Sequence, residues 1–386
     1  MQLFLRKTRR KVPNNSFDFP NEDFLRLSIF SLELTKSKSS KHQHQQVLQS
    51  MQFKNLALAS SSMISQSNIM AKSSSFVTQA RQLKMPSREE ILRRDPSVYD
   101  FWLRYDNLLQ KAWKEWSEEE GASLPILDSS LYHPDLRKAI EESWKDPGKE
   151  DTVKDLWTEV APGVFQCQFF DPKKIGEIRA YLDKAGEAGI PARPPYGIVL
   201  NRKGFMIDQR SVGYLAIPQF QKFYRELIDT YMRPLGRLFF PEYIQASEDS
   251  ESFAFSIQYQ AGGDQSIRQH TDASSLTLNI NLNIPDGGED WSGSSLYFVE
   301  PETGKRNYVD FAPGVAIMHR GMTAHAALPI TSGERSNLVL WLYGKDQRMR
   351  YTPYGPDDRM TPQERWTKPP TDPLCDRDPS DAFNPF

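Results

Sequence analysis

The sequence predicts an α+β fold with a mainly β core, a sandwich or jelly roll buttressed by N-terminal helices. Three observations carry that expectation. Residues 275–284 alternate without a break: Leu276, Leu278, Ile280, Leu282 and Ile284 fall on one face, Thr277, Asn279, Asn281 and Asn283 on the other. A two-residue period marks a strand. More short apolar segments follow, separated by turns at close intervals, the pattern of sandwiches and jelly rolls. Ahead of them, large apolar residues recur at helical spacing.

In chain order, residues 1–85 are rich in Ser, Gln, Lys and Arg and poor in acids. They read as a disordered or targeting tail. Its basic cluster Arg6-Lys7-Thr8-Arg9-Arg10-Lys11 suits an organellar transit segment or nuclear signal as well as a solvated tail. Arg26 and Glu33 interrupt the apolar patch at 24–34 and argue against a secretory leader.

Residues 86–245 are read as a helical and β support region. Ser87-Arg88-Glu89-Glu90 opens a helix with a capping box. Beyond Pro96, the residues Tyr99, Trp102, Leu103, Leu108, Leu109, Trp113 and Trp116 place a packing face on a helix that runs to Gly121. A helix is expected over 134–144, a strand over 160–170 and a helix over 172–185. Two strands are expected at 197–206 and 209–216. A long helix over 218–239 would bury Phe220, Phe223, Tyr224, Leu227, Ile228, Tyr231 and Met232.

Residues 246–346 are strand-rich. Besides 275–284, strands are expected at 253–259, 314–319 and 336–343, with a hairpin of 294–299 and 307–311 about the turn Glu302-Thr303-Gly304-Lys305. Residues 347–386, where Pro and Asp become frequent, read as an irregular surface tail.

Composition narrows the function classes. The 386 residues are 38% hydrophobic and 25% charged, as in a soluble globular protein. A net charge of −2 gives no field that favours nucleic acid. Cys167 and Cys375 are too few for a disulfide framework or a thiolate zinc site. No apolar run approaches the ~20 residues that span a bilayer. The expected location is the cytoplasm, or an organelle if the basic tail is a transit segment.

The chemistry lies in the strand-rich region. Of six histidines, His42 and His44 sit in the polar tail, and His133 precedes Pro134 in a helix-entry turn. His270, His319 and His325 remain. His270 and Asp272 form an HxD pair, and at a strand end residues i and i+2 project to the same side. An isolated HxD usually closes a polar turn. This one follows Tyr259 and the glycine turn Gly262-Gly263-Asp264 and precedes the long alternating strand. Two imidazoles and one carboxylate clamp one face of a metal and leave three positions open, as in non-haem Fe(II) oxygenases. The second imidazole is His319 or His325; the residues alone leave both open. Whichever is not a ligand can orient one. Arg335 taken alone reads as a turn arginine, but beside such a clamp a guanidinium suits bidentate recognition of a carboxylate. Tyr259 could donate to the same anion. Three asparagines on one strand face suit a polar cavity better than open solvent, which makes one of Asn279, Asn281 and Asn283 a candidate lining residue.

The run from Tyr259 through His270-Thr271-Asp272 to Thr277-Leu278-Asn279 resembles the core of the 2-oxoglutarate and Fe(II)-dependent oxygenases, nearest to their prolyl 4-hydroxylase and procollagen lysyl hydroxylase branch. His325-Ala326-Ala327-Leu328-Pro329-Ile330-Thr331-Ser332-Gly333-Glu334-Arg335 looks like the second half of that core. The resemblance spans about residues 253–343. It implies a double-stranded β-helix with helices on its outer sheet. It also implies His325 rather than His319 as the distal ligand, with His270, Asp272 and His325 holding Fe(II). Arg335 would pair with the far carboxylate of 2-oxoglutarate, helped by Tyr259 and Asn279. The implied reaction uses O2, releases succinate and CO2 and hydroxylates a C–H bond of a Pro or Lys side chain or of a small molecule, with L-ascorbate as reductant. Halogenating relatives lack the carboxylate, so Asp272 points to hydroxylation. The glycosyltransferase-like domains and secretory signal of the lysyl enzymes are not legible here, so a collagen substrate is not expected. Two other readings compete: a non-catalytic, cupin-like metal-binding jelly roll, and a metal-dependent isomerase or hydrolase on the same barrel.

Overall fold

The computed structural model describes residues 75–93, 95–192, 218–285, 291–345, 348–367 and 385. These residues fall in one compact unit, Ser65–Phe386. The tail before residue 75 and the strand pair expected at 197–216 lie outside the described residues.

After the short α1 (Phe76–Arg81), Ser87 caps α2 (Arg88–Leu92) in the expected box: its hydroxyl accepts the Glu90 N–H, and the Glu90 carboxylate accepts the Ser87 N–H. In α3 (Pro96–Glu120), Asp95 caps the first turn and Pro96 occupies the position where a missing N–H costs nothing. This helix buries Trp102, Leu109, Ala112, Trp113 and Trp116. Leu103 was expected on that face and is exposed instead; one residue after Trp102, it is rotated by about 100°. The helices α4 (Pro134–Lys145), α5 (Asp151–Lys154) and α6 (Ile175–Glu187) follow. The long helix expected at 218–239 is α7 (Pro218–Glu226) and α8 (Arg233–Phe239) joined by a π-helical turn, Leu227–Met232, all of it buried. The wider turn accompanies a stack of Tyr231 on Tyr132, 3.8 Å between ring centroids.

The single strand expected at 160–170 is a hairpin, β1 (Thr158–Ala161) and β2 (Val164–Gln168), because Gly163 takes a left-handed φ of 69° in the turn. The remaining strands are β3 (Glu251–Gln260), β4 (Ile267–His270), β5 (Leu276–Asn281), β6 (Ser292–Gly293), β7 (Leu296–Val299), β8 (Arg306–Val309), β9 (Val315–Arg320), β10 (His325–Ala327), β11 (Ile330–Ser332) and β12 (Glu334–Tyr343). They build a six-stranded sheet in the order β1-β2-β9-β5-β12-β3, a four-stranded sheet β4-β10-β7-β8 and the pair β11-β6. All strand pairs are antiparallel. Helices plus antiparallel sheets make the fold α+β.

The six-stranded sheet has two unlike faces. Leu278 of β5 lies between Met318 of β9 and Leu340 of β12. With Leu276, Ile280, Leu338 and Leu342 they join Trp113, Tyr132, Phe223 and Tyr231 of the helical layer in one core. Each such side chain contributes about 1.5–3 kcal/mol on burial. The other face carries Thr277, Asn279 and Asn281 beside Ile317 and His319, and Arg335 and Asn337 on β12. A one-residue slip of β5 would exchange the two sets, so the leucines hold the polar residues in place.

The C-terminal segment, expected to be irregular, contains the short helix α9 (Pro362–Arg365) with its own capping box at Thr361. Arg365 pairs with Glu150, and the buried Trp366 donates its Nε1–H to the same carboxylate at 3.0 Å. No helix among the described residues is long and apolar enough to cross a membrane.

Candidate metal centre

Pairing of short strands assembles the centre. β4 ends at His270, and Asp272 lies two residues beyond. His325 opens β10 opposite both His270 on β4 and Phe298 on β7. The rings of His270 and His325 are 4.3 Å apart. His270 Nε2 lies 3.4 Å from Asp272 Oδ1, and His325 Nε2 3.8 Å from Asp272 Oδ2. One donor atom from each of His270, Asp272 and His325 lies within 4.8 Å of the other two; among the described residues this is the only such group. His319, from β9, adjoins the group without belonging to it. Its Nε2 is 4.0 Å from Asp272 Oδ2, and its ring lies 4.7 Å from that of His325 and 5.0 Å from that of Phe298.

The hydrogen bonds leave donor atoms facing inward. His270 Nδ1 bonds the Arg268 carbonyl at 2.8 Å and His325 Nδ1 the Thr323 carbonyl at 2.9 Å. A carbonyl only accepts, so each Nδ1 carries the hydrogen and each Nε2 presents a lone pair. Thr277 donates to Asp272 Oδ2 at 2.6 Å, and the Asp272 N–H donates to the Gly321 carbonyl at 2.8 Å. Gly321 is required by contact: a Cβ there would lie 2.0 Å from the Ser274 carbonyl oxygen.

Burial pushes His325 down to about 3 and lowers His319 as well. Burial also opposes charge on His270, but the Asp272 carboxylate outweighs it and raises that imidazole. Burial alone would raise Asp272; His325 and His270 beside it hold the carboxyl well below the usual range. Ionised Asp272 and neutral His325 are the ligand forms a divalent metal needs.

Arg335 is fully buried, not the exposed turn residue that its position alone suggests. It pairs in register with Tyr259, and its Cζ lies 4.5 Å from the centre of that ring. Nη1 donates to the Ser294 carbonyl. Nε and Nη2 are buried without a hydrogen-bond partner. Those two N–H groups form the side-on fork of the guanidinium. Arg237 shows what that fork accepts: its Nε and Nη2 hold both oxygens of Asp249 at 2.6 and 3.2 Å. Burial pushes the Tyr259 hydroxyl up, Arg335 opposes this, and the Asp272 charge adds to the rise, so the two ends of the site sense each other. Asn279 lies between them on the polar face, its Oδ1 accepting from Asn337 Nδ2 at 3.0 Å.

No family model matches the chain. A Xenopus tropicalis protein named 2-oxoglutarate and iron-dependent oxygenase domain-containing protein 2 is 32% identical over 200 residues, 49% of this chain and 52% of that protein. The chain is similar to proteins named 2-oxoglutarate and iron-dependent oxygenase domain-containing proteins. It spans about half the length of that relative. Procollagen-lysine,2-oxoglutarate 5-dioxygenase 1 of Rattus norvegicus is 32% identical over 120 residues, 30% of this chain and 15% of that one. A prolyl hydroxylase structure from Trichoplax adhaerens matches at 15% identity and a TM-score of 0.37, over 55% of this chain and 94% of that one.

Sequence reasoning missed three residues of this oxygenase-like centre. The sequence places Thr277 only on the polar strand face, although its position five residues after Asp272 on that face is the available signal. Gly321 reads as a turn glycine, and nothing local announces its contact with Ser274. Ser294 gives no signal: nothing in its local sequence marks its left-handed φ of 55°.

Proposed function

We propose that the chain is an Fe(II)- and 2-oxoglutarate-dependent dioxygenase that hydroxylates a C–H bond. The observation that carries this reading is the buried Arg335 fork, without a partner, in the same polar interior as a three-donor cluster. A metal-binding module without turnover has no use for a buried anion clamp. The two β-sheets whose strands meet at the centre support a double-stranded β-helix, and the names of the relatives support the cofactor pair.

His270, Asp272 and His325 would hold Fe(II): two neutral nitrogens and a carboxylate are the donor set that metal takes in such sites. When bound, Fe(II) with 2-oxoglutarate and O2 supplies oxidative decarboxylation to succinate and CO2 and an oxygen atom for the substrate. The chain's residues do the positioning. The Arg268 and Thr323 carbonyls fix the ligand tautomers, and Thr277 turns the carboxylate. Arg335 would pair with the far carboxylate of 2-oxoglutarate, with Tyr259 flanking the guanidinium and Asn279 lining the space between. Phe298 and the buried Ile317 exclude water on one side. L-ascorbate would serve as reductant, and a Pro or Lys side chain or a small molecule as prime substrate.

The test is succinate release by the full chain with Fe(II), 2-oxoglutarate and O2, even without prime substrate, set against Arg335→Met. Metal-dependent succinate from the native chain and none from the variant is expected. No succinate from the native chain, together with no binding of 2-oxoglutarate, overturns the reading.

A further inference from the structure

Ser294 is the one non-glycine residue with positive φ among the described residues, at 55°. It is also fully buried. A left-handed backbone strains any residue with a Cβ, and glycine would adopt it freely. Its neighbour Gly293, at φ 78°, is forced to be glycine, since a Cβ would lie 2.6 Å from the Pro329 carbonyl.

The three polar groups of Ser294 have different fates. Its N–H donates to the Pro329 carbonyl at 3.0 Å, and its carbonyl accepts Nη1 of Arg335. Its Oγ is buried without a partner. A buried hydroxyl left unpaired is costly, and each such case in a folded protein calls for a reason. Arg335 Nε and Nη2 are unpaired as well, and Asn337, two residues along the same strand face, has an unpaired Oδ1. The unpaired hydroxyl therefore belongs to the residue that anchors a guanidinium whose fork is also unpaired.

We infer that Ser294 is a positioning and binding residue for the dicarboxylate: its carbonyl turns Arg335 so that the Nε–Nη2 fork faces the far carboxylate, and its hydroxyl donates a further hydrogen bond to that group. A carboxylate has about four lone-pair sites, so a third donor beside the Arg335 fork is accommodated. The inference rests on the oxygenase reading above.

The experiment is calorimetric titration of the Mn(II)-loaded full chain with 2-oxoglutarate and, separately, with 2-oxopentanoate, which lacks the far carboxylate. Native protein, Ser294→Ala, Ser294→Gly and Arg335→Met are compared, with Tm measured without either acid. Ser294→Ala should weaken 2-oxoglutarate about tenfold or more, as for loss of a hydrogen bond to a charged group. It should leave 2-oxopentanoate unchanged. Ser294→Gly should weaken 2-oxoglutarate likewise yet melt higher than Ser294→Ala, because the backbone strain is relieved. If the native chain binds 2-oxoglutarate, Arg335→Met binds it far more weakly and Ser294→Ala matches the native chain, this inference alone is overturned. Equal losses for both acids would also overturn it, as general distortion. If the native chain binds neither acid, the oxygenase reading falls first.

Discussion

Thr277 donates its hydroxyl hydrogen to Oδ2 of Asp272 at 2.6 Å and pairs with Ser274 Oγ at 2.8 Å on its other side. Because the Thr277 hydrogen goes to the carboxylate, Ser274 is the donor in the second bond. The relay fixes one oxygen of Asp272 and leaves Oδ1 toward His270 Nε2. Groups that orient a metal ligand are worth about 10–100-fold in metal affinity. Thr277→Val keeps the shape and removes the donor, so Mn(II) affinity should fall by about that factor, while Thr277→Ser stays near the native value. Titration of metal into the apo-protein reads the difference. Equal affinity for all three would mean that Asp272 orients itself.

The two distal histidines predict opposite outcomes. His325 belongs to the three-donor group and His319 does not, although their rings are 4.7 Å apart. His325→Ala should abolish iron binding, and His319→Ala should retain it with at most a modest loss, since His319 packs against Phe298 at 5.0 Å. Metal analysis after dialysis distinguishes the two, and the reverse pattern would reject the assignment.

A pH prediction falls outside the site. Burial pushes the Glu226 carboxyl up to about 6, opposed by Lys222. A raised carboxyl means that the folded state favours the proton. The contribution is therefore fully present below the unfolded value of about 4.3. It declines as pH rises and is lost above about 6. With partial exposure discounted, the charged form costs about 1 kcal/mol at pH 7.5. Glu226→Gln should recover about that much at pH 7.5 and nothing at pH 4, read from urea unfolding at both. A gain of the same size at both pH values would contradict the sign.

Much of this was legible in the sequence. The alternation of 276–282 places Thr277, Asn279 and Asn281 on one sheet face because the leucines opposite them cannot be exposed, and the strand forms that way. The capping box at Ser87 forms because its partners are three residues apart. A strand ending near His270 is expected without a range, and β10 is not expected: β4 and β10 have four and three residues, too short for a period to show. Those two strands bring His270 and His325 together. Periodicity therefore reports the support of the centre, while its assembly depends on pairings across dozens of residues. Arg335 shows the same division. Its place before a strand was readable, but its burial depends on Tyr259 from another strand and on Ser294 from the segment between β6 and β7.

That burial makes the last prediction a matter of opposing signs. Arg335 carries its charge in full burial, with Nε and Nη2 without a hydrogen-bond partner and with Nη1, the Tyr259 side chain and the Phe311 ring in compensation. Desolvating a cation costs several kcal/mol, and exchanging it for an apolar side chain of similar volume is often neutral or stabilising by about 1–4 kcal/mol. Arg335→Met should thus unfold at the same or higher denaturant concentration than the native chain. The same variant should bind 2-oxoglutarate no better than 2-oxopentanoate, because a thioether offers no fork to a carboxylate. Adding 2-oxoglutarate to the Mn(II)-loaded protein should then raise the Tm of the native chain well beyond any shift in the variant. A variant several kcal/mol less stable than the native chain would instead mark Arg335 as a structural residue and remove the ground for its role as an anion clamp.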